Sequence, residues 1–236
     1  TTRFCDLHLI SPSKVFEKPT ISNSEFKVRS LAPCSLPGYQ DVTKLFDGLF
    51  VNYSTNSCSF ERACFHRWFA LNAATSTLSD NSFICLLDTD FLIGMSPSDV
   101  LSRCISNAGS ANIEFIAEWA GAEPIGIGPE ITIMTKSYLF GFCKYLLTTY
   151  FSPSMKSQLY GEYFDRIGNG LAGGICDMRA LAAYSSYHQQ NIFNLRQLCE
   201  SRIIGNFNSF LGDEVDSNQN WKISVRSGIQ TLHLHD

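Results

Sequence analysis

The chain lacks the patterns that mark several common classes of protein. No basic cluster is longer than two residues and the net charge is −4, so nucleic acid is not an expected partner. There is no G-x-S-x-G elbow and no G-x-G-x-x-G after the first strand, which argues against a serine hydrolase and a dinucleotide-binding domain. The composition, 44% hydrophobic and 17% charged, is that of a globular protein able to bury a sizeable core.

None of the nine cysteines forms a C-x-x-C pair, and most lie in apolar stretches. They are typical of small buried hydrophobes in a reducing compartment, so we expect a cytoplasmic protein without disulfides or a zinc site. The N-terminus is too polar for a signal peptide. The most apolar long stretch, 131–151, carries Lys136 and Lys144, so no membrane span is expected. The chain has no initiator Met, and we expect a domain of a longer protein.

Apolar periodicity and turn residues predict strands and helices in alternation. The stripe formed by Phe60, Cys64, Trp68 and Leu71 predicts a helix with Ser59 as its N-cap. Strands are predicted at 4–10, 26–28, 49–53, 83–87, 113–119, 130–134 and 229–233, and helices at 60–78, 97–105, 137–151 and 177–198. This order predicts one α/β domain with a mostly parallel central sheet flanked by helices.

The most informative residues are Asp88-Thr89-Asp90, which directly follow the apolar strand Phe83–Leu87. Residues i and i+2 of a strand point to the same side, so the carboxylates of Asp88 and Asp90 are expected to converge. Open α/β sheets bind ligands at such strand ends. Two hard oxygen donors there suit Mn²⁺ or Mg²⁺, with a diphosphate as a reasonable second ligand of the ion. The tripeptide alone is common by chance, and the apolar sequence on both sides is what favours a site.

The stretch 83–93 resembles the hydrophobic strand and DxD motif of GT-A nucleotide-sugar glycosyltransferases. The resemblance extends over about 45–236, through the helix that carries Arg67, the strand and helix after 131, and the glycine-rich loop before Asp177. It implies a single GT-A-like, Rossmann-like domain, with 1–110 as the nucleotide-sugar half and 111–236 as the acceptor half. It also implies Mn²⁺ or Mg²⁺ on Asp88 and Asp90 and a nucleoside diphosphate sugar, favoured to be a UDP-sugar, as donor. The acceptor would be a hydroxyl group of a glycan or glycoconjugate.

Three further residues have an expected role and a plainer alternative. Asp177 lies at the start of a predicted helix. It is expected to act as a general base for the acceptor hydroxyl, or else as an N-cap of that helix. Asp165 and Glu162 are the other candidate bases. Arg67 is expected to bind diphosphate oxygens, or to pair with Glu61 or Asp80. The resemblance makes His233 a third metal ligand, although Asp236 stands where the family has a glycine; otherwise it is a solvent-facing residue near the chain end.

Two other classes remain open from the sequence. A haloacid-dehalogenase-like phosphohydrolase also ends an apolar strand in Asp-x-Asp, but it has Thr or Val where this chain has Leu92. A non-catalytic GT-A-like module that binds nucleotide sugar would keep the same two aspartates. Trp119 and the loop at 121–128 are expected either to shape an acceptor site or to belong to the core.

Overall fold

The computed structural model describes residues 6–10, 27–87, 91–93, 97–109, 112–119, 127–170, 174–198 and 231–233. The strands in these ranges are β1 (Asp6–Ile10), β2 (Lys27–Leu31), β3 (Phe83–Leu87), β4 (Phe91–Ile93), β5 (Phe115–Trp119), β6 (Ile127–Thr135), β7 (Ile192–Asn194) and β8 (Thr231–His233). The α-helices are α1 (Tyr39–Leu49), α2 (Cys58–Ala74), α3 (Pro97–Ala108), α4 (Lys136–Phe151), α5 (Pro153–Gly168) and α6 (Asp177–Ser186). None of the helices in the described ranges is long and apolar enough to cross a membrane.

The chain divides into two compact units. The first comprises Thr1–Ser79 and Leu139–Asp177, and the second comprises Asp80–Tyr138 and Met178–Asp236. None of the three boundaries along the chain coincides with residue 110, and the division into a donor half and an acceptor half stays a prediction.

The first unit contains β1 and β2, which pair in parallel, together with α1, α2 and α5. Helix α1 begins after Gly38, whose φ of +72° lies in the left-handed region that glycine adopts without strain. Helix α2 is capped by Ser57, whose side chain accepts a hydrogen bond from the backbone N–H of Phe60 at 3.3 Å. The cap thus lies two residues before the predicted Ser59, because the helix begins at Cys58.

Aromatic rings form the core of this unit. Phe46 of α1 is fully buried, and its ring centroid lies 5.4 Å from that of Phe65, 5.2 Å from that of Phe69 and 5.1 Å from that of Tyr150. Each fully buried aromatic side chain of this size stabilises the fold by about 1.5–3 kcal/mol. This cluster fixes α1, α2 and the end of α4 against one another.

The second unit contains a four-stranded sheet in the order β3-β6-β5-β7. β6 is antiparallel to both β3 and β5, whereas β5 and β7 are parallel. The predicted α/β class with a central sheet is confirmed. The sheet is mixed, however: β3, β5 and β7 run in one direction as predicted, but the reversed β6 between β3 and β5 makes two of the three pairings antiparallel.

Side chains of helical residues cover both faces of this sheet. On one face, Val100 and Cys104 of α3 join a buried cluster with Ile116 and Ile133 of the sheet. On the other face, the ring of Phe115 stacks on that of Tyr138 at 4.7 Å. Successive strand residues point to opposite faces, which is why Phe115 and Ile116 serve different layers.

Two predicted elements are wrong. Residues 49–53 do not form a strand: Leu49 ends α1, and only Tyr53 makes an isolated antiparallel bridge, with Ile175. The helix predicted over 177–198 ends at Ser186, and Ile192–Asn194 instead adds β7 to the sheet. The seven described cysteines are all free, and they range from buried (Cys104, Cys143) to exposed (Cys34, Cys58).

Candidate functional site

The aspartate tripeptide lies between two strands of the second unit. β3 ends at Leu87, immediately before Asp88, and β4 begins at Phe91, immediately after Asp90. Asp88, Thr89 and Asp90 themselves lie outside the described residues. The predicted apolar strand before the tripeptide is confirmed, and a second strand follows it directly.

The pairing of β4 with β8 brings the backbone of His233, the third expected metal ligand, next to that of Phe91. The two strands are antiparallel, with Phe91 opposite His233, Leu92 opposite Leu232 and Ile93 opposite Thr231. Residues paired in this way have Cα atoms about 4.5–5.5 Å apart. The backbone of His233 is therefore adjacent to the residue that follows Asp90, although 142 positions separate Phe91 from His233 (233 − 91).

The carboxyl ends of three strands lie at one edge of the four-stranded sheet. β3, β5 and β7 run in one direction, so Leu87, Trp119 and Asn194 all end their strands at this edge. Ligands of α/β sheets bind outside the carboxyl ends of strands. The edge that continues into Asp88 is therefore the candidate site.

Asn194 fixes the end of β5 at this edge. Its side-chain Nδ2 donates to the carbonyl oxygen of Trp119 at 3.0 Å, and its Oδ1 accepts from the Trp119 backbone N–H at 3.4 Å. The buried Asn194 side chain makes the two hydrogen bonds that another strand residue would otherwise make, and so satisfies the backbone groups of Trp119.

In the first unit, two residues that the sequence singled out separately form one ion pair. The Arg67 Nε donates to Oδ2 of Asp177 at 3.0 Å, and the Arg67 Nη2 donates to the same oxygen. The indole Nε1 of Trp68 donates to this oxygen as well, at 2.9 Å. Asp177 is 2% exposed, so a buried carboxylate oxygen accepts from a guanidinium and an indole together.

This arrangement changes the expected roles of both residues. Arg67 pairs with Asp177, whereas Glu61 accepts from Asn56 Nδ2 at 2.7 Å and Asp80 lies 3.9 Å from Lys136. Nor does the buried Asp177 oxygen suit a general base, because taking a proton from a hydroxyl would break its hydrogen bonds to Arg67 and Trp68. The geometry favours Asp177 as an anchor for the guanidinium, which also lies 5.3 Å from the Trp68 ring centroid.

The backbone just before Asp177 is held by Tyr53. Ile175 donates its N–H to the Tyr53 carbonyl oxygen at 2.6 Å, within the bridge between these two residues. A Cβ on Gly174 would lie 2.5 Å from Ser54 Cα and closer still to the Tyr53 carbonyl oxygen. Gly174 therefore permits a close approach of its backbone to that of Tyr53 and Ser54.

We expect Gly174→Ala to lower the free energy of unfolding by about 1–3 kcal/mol, because the added methyl group collides with backbone atoms. Gly161→Ala is the matched control. Gly161 lies inside α5 with nothing within 4 Å of its would-be Cβ, so alanine there should raise the free energy of unfolding by about 0.5–1 kcal/mol. Urea unfolding of both variants measures the two changes; equal effects would contradict the close approach at Gly174.

The surroundings of the Cys64 thiol argue against its use as a nucleophile. The pKa of Cys64 is raised to about 12, mainly by burial and also by the nearby Asp177 carboxylate, while the Arg67 guanidinium acts in the opposite direction. A thiol with this pKa stays protonated at neutral pH, which excludes it as a thiolate nucleophile there.

Within the described residues, no group of three or more His, Cys, Asp and Glu side chains is placed to hold a metal ion. The predicted ligand set of Asp88, Asp90 and His233 is not covered by that statement, because Asp88 and Asp90 fall outside the described ranges. The other candidate bases, Asp165 and Glu162, lie on α5, where Asp165 is exposed and Glu162 is half-buried.

No family model matches the chain, and no curated protein sequence matches it. Among solved structures, the chain is similar to the crystal structure of mouse xyloside xylosyltransferase 1 in its apo form, with a TM-score of 0.49 and 11% sequence identity. The similarity covers 80% of this chain and 71% of that chain. A likeness at this level carries no information on substrate or site residues, which have to be argued from this chain's own side chains.

Proposed function

We propose that the chain is a metal-dependent glycosyltransferase that moves a sugar from a nucleoside diphosphate sugar to a hydroxyl group of a glycan or glycoconjugate. The observation that carries the proposal is that β3, which Asp88-Thr89-Asp90 follow directly in the sequence, ends at the carboxyl edge of the sheet. The register of Phe91 with His233 supports it, because the backbone of a third candidate ligand lies opposite the residue that follows Asp90 in the sequence. A UDP-sugar is the favoured donor.

The residues proposed as ligands fit a divalent ion in their chemistry. Two carboxylates supply hard oxygen donors, and an imidazole is a good ligand for Mn²⁺, which makes Mn²⁺ the first choice and Mg²⁺ the second. When bound, such an ion supplies positive charge to the departing diphosphate. Asp88, Asp90 and His233 are the residues proposed to hold it.

Arg67 and Asp177 are proposed as a positioning pair in the first unit. The Asp177 carboxylate accepts hydrogen bonds from two nitrogens of Arg67 and thereby fixes the orientation of the guanidinium. The Arg67 side chain is 25% exposed. An arginine held in one rotamer loses less side-chain entropy when it meets an anion than a mobile one does. The pair therefore supports a pre-oriented cation, with Asp177 acting through Arg67.

A thermal-shift screen of nucleotide sugars with and without Mn²⁺ tests the proposal. At a ligand concentration 100 times Kd, binding stabilises the folded state by about 2.7 kcal/mol. For a chain of this length, that corresponds to a rise in Tm of roughly 5–11 °C. We expect this rise with Mn²⁺ and one class of nucleotide sugar together.

The controls are Mn²⁺ alone, each nucleotide sugar with EDTA, and the matching nucleoside monophosphates. The monophosphates lack the bridging diphosphate and should give a smaller shift. A rise in Tm that is the same with EDTA as with Mn²⁺ would contradict a metal-held diphosphate.

A further inference from the structure

Helix α5 of the first unit carries two large aromatic rings on its exposed side. Tyr160 is 50% exposed and Phe164, one turn further along the helix, is 49% exposed. Their ring centroids lie 4.5 Å apart, with the two planes tilted by 51°. Exposed aromatic side chains that lie side by side in this way are typical of a binding surface.

The two rings are held in place from their inner side. The ring of Tyr53, which is buried, lies 5.5 Å from that of Tyr160 and 6.0 Å from that of Tyr163. The Tyr163 ring in turn lies 5.5 Å from that of Phe164, and the Tyr53 backbone is fixed by its bridge to Ile175. A ligand that meets rings already fixed in this way loses little side-chain entropy on binding.

Gly161 lies next to these rings, in the interior of α5. Glycine is an unfavourable residue there, because it gains nothing from a side chain and loses much backbone entropy. Its backbone is helical, and a Cβ added to it would have no described atom within 4 Å, so packing within the described residues does not require glycine. The exposed glycine instead leaves the helix backbone open to an external group beside Tyr160 and Phe164.

Polar side chains lie on the other side of Gly161. Successive residues of an α-helix are rotated by about 100°, which places Tyr160 and Phe164 to one side of Gly161 and Gln158 and Asp165 to the other. Gln158 and Asp165 are both exposed. These five residues, called the α5 surface below, thus form an aromatic side, a glycine floor and a side with amide and carboxylate oxygens.

The chemistry of the α5 surface matches that of a sugar ring. A sugar has apolar C–H faces, which stack on aromatic rings, and a rim of hydroxyl groups, which donate to carboxylate and amide oxygens. A second copy of the chain or a partner helix would favour an apolar stripe across the whole surface.

The charge of α5 favours a neutral ligand. The helix carries two basic residues, Lys156 and Arg166, and two acidic residues, Glu162 and Asp165, so they sum to zero. An anionic membrane or a nucleic acid would favour an excess of basic side chains. A neutral carbohydrate needs no such excess.

We infer that the α5 surface binds a neutral oligosaccharide, with one sugar ring stacked on Tyr160 and Phe164 above Gly161. This binding site goes beyond the proposed function, because it belongs to the first unit and needs neither a metal ion nor a nucleotide sugar. It also gives Asp165 a use other than that of a general base, as an acceptor for sugar hydroxyl groups.

Gly161→Leu is the variant that tests the site. Leucine is a strong helix former and meets no described atom at its Cβ, so Tm should stay the same or rise. Its side chain fills the floor between the two sides of the α5 surface, and oligosaccharide binding should be lost. Gly48→Leu is the matched control, since Gly48 is an exposed helix residue of the same unit with no described atom within 4 Å of its would-be Cβ.

Binding is measured by chemical-shift titration of the ¹⁵N-labelled protein with cellotetraose, maltotetraose and mannotetraose, in EDTA. We expect at least one of them to bind the wild type and Gly48→Leu with equal Kd. Tyr160→Ala should raise that Kd about 3- to 10-fold, the size expected for one aromatic contact. Absence of binding by all three tetraoses would overturn the inference, and so would a Kd that is unchanged in Gly161→Leu.

Sedimentation velocity distinguishes a carbohydrate site from an interface between copies of the chain. A wild type that self-associates, together with a monomeric Gly161→Leu and no tetraose binding, would assign the α5 surface to self-association and overturn the inference. The thermal-shift screen with Mn²⁺ tests the proposed function separately. Tetraose binding in EDTA that is lost in Gly161→Leu would support the α5 surface even if that screen contradicted a metal-held donor.

Discussion

Replacing Asp90 by alanine is expected to abolish Mn²⁺-dependent hydrolysis and transfer from a nucleotide sugar. The change removes one of the two carboxylates proposed to hold the ion. An ion at a departing diphosphate supplies several kcal/mol of charge stabilisation, and each 1.4 kcal/mol is about tenfold in rate. The expected loss is therefore about a thousand-fold or more, and it is measured as release of the nucleoside diphosphate with Mn²⁺ and with EDTA.

Asp80→Ala is the matched control for loss of an acidic side chain. Asp80 is in the same unit, its side chain is 83% exposed and its contact with Lys136 is 3.9 Å, so the variant should keep its activity. Metal-dependent turnover that survives in Asp90→Ala would contradict the proposed role of the tripeptide. A phosphoenzyme trapped on Asp88 would instead assign the site to the phosphohydrolase class.

The sequence predicted the strands with the strongest apolar character and the helices with the clearest periodicity. The five apolar residues of β3 could be recognised because no polar position interrupts them. The expectation that both faces are covered is met only in part, because Ile84 is buried but Phe83 is 38% exposed. The stripe predicted on α2 was right for Trp68 and Leu71 and wrong for Phe60, which is 58% exposed. Phe60 lies in the first turn of the helix, directly after the turn that precedes Cys58.

β7 was missed because its stability is not local. It has three residues, Ile192–Asn194, which pair with Phe115–Ala117 of β5 and so depend on a partner far away in the chain. A segment that short carries too little periodicity to be separated from the preceding helix. Helix α1 was missed for a different reason, since it begins at Tyr39, inside a stretch rich in Ser, Pro and Asn for which no helix was predicted.

At the site, the sequence identified chemical groups but not their partners. Arg67 and Asp177 were both singled out, yet they are 110 positions apart and nothing in local pattern joins them. The sequence suggested diphosphate oxygens, or Glu61 or Asp80, as partners of Arg67, and it did not suggest Asp177.

Replacing Asp177 by alanine is expected to lower the free energy of unfolding by about 3–5 kcal/mol. The change leaves the Arg67 guanidinium and the Trp68 indole N–H without their shared acceptor, and removal of one partner from a buried ion pair carries a penalty of this size. Asp165→Ala, at an exposed acid on α5, should change stability by less than about 0.5 kcal/mol. Urea unfolding of the two variants measures the difference.

The two possible roles of Asp177, as an anchor for Arg67 or as a general base, predict different effects of substitutions on stability and on transfer. If Asp177 anchors Arg67, Arg67→Ala with Asp177→Ala should destabilise by clearly less than the sum of the single changes, because the second change removes the charge that the first left unpaired. Asp177→Asn should then lower the free energy of unfolding as well, because a neutral amide replaces the charged acceptor of Arg67. If Asp177→Asn instead keeps stability and donor binding while transfer alone disappears, Asp177 acts on the acceptor hydroxyl, and the anchor assignment is wrong. The double-mutant cycle and the donor-binding measurement thus decide between the two roles of the same carboxylate.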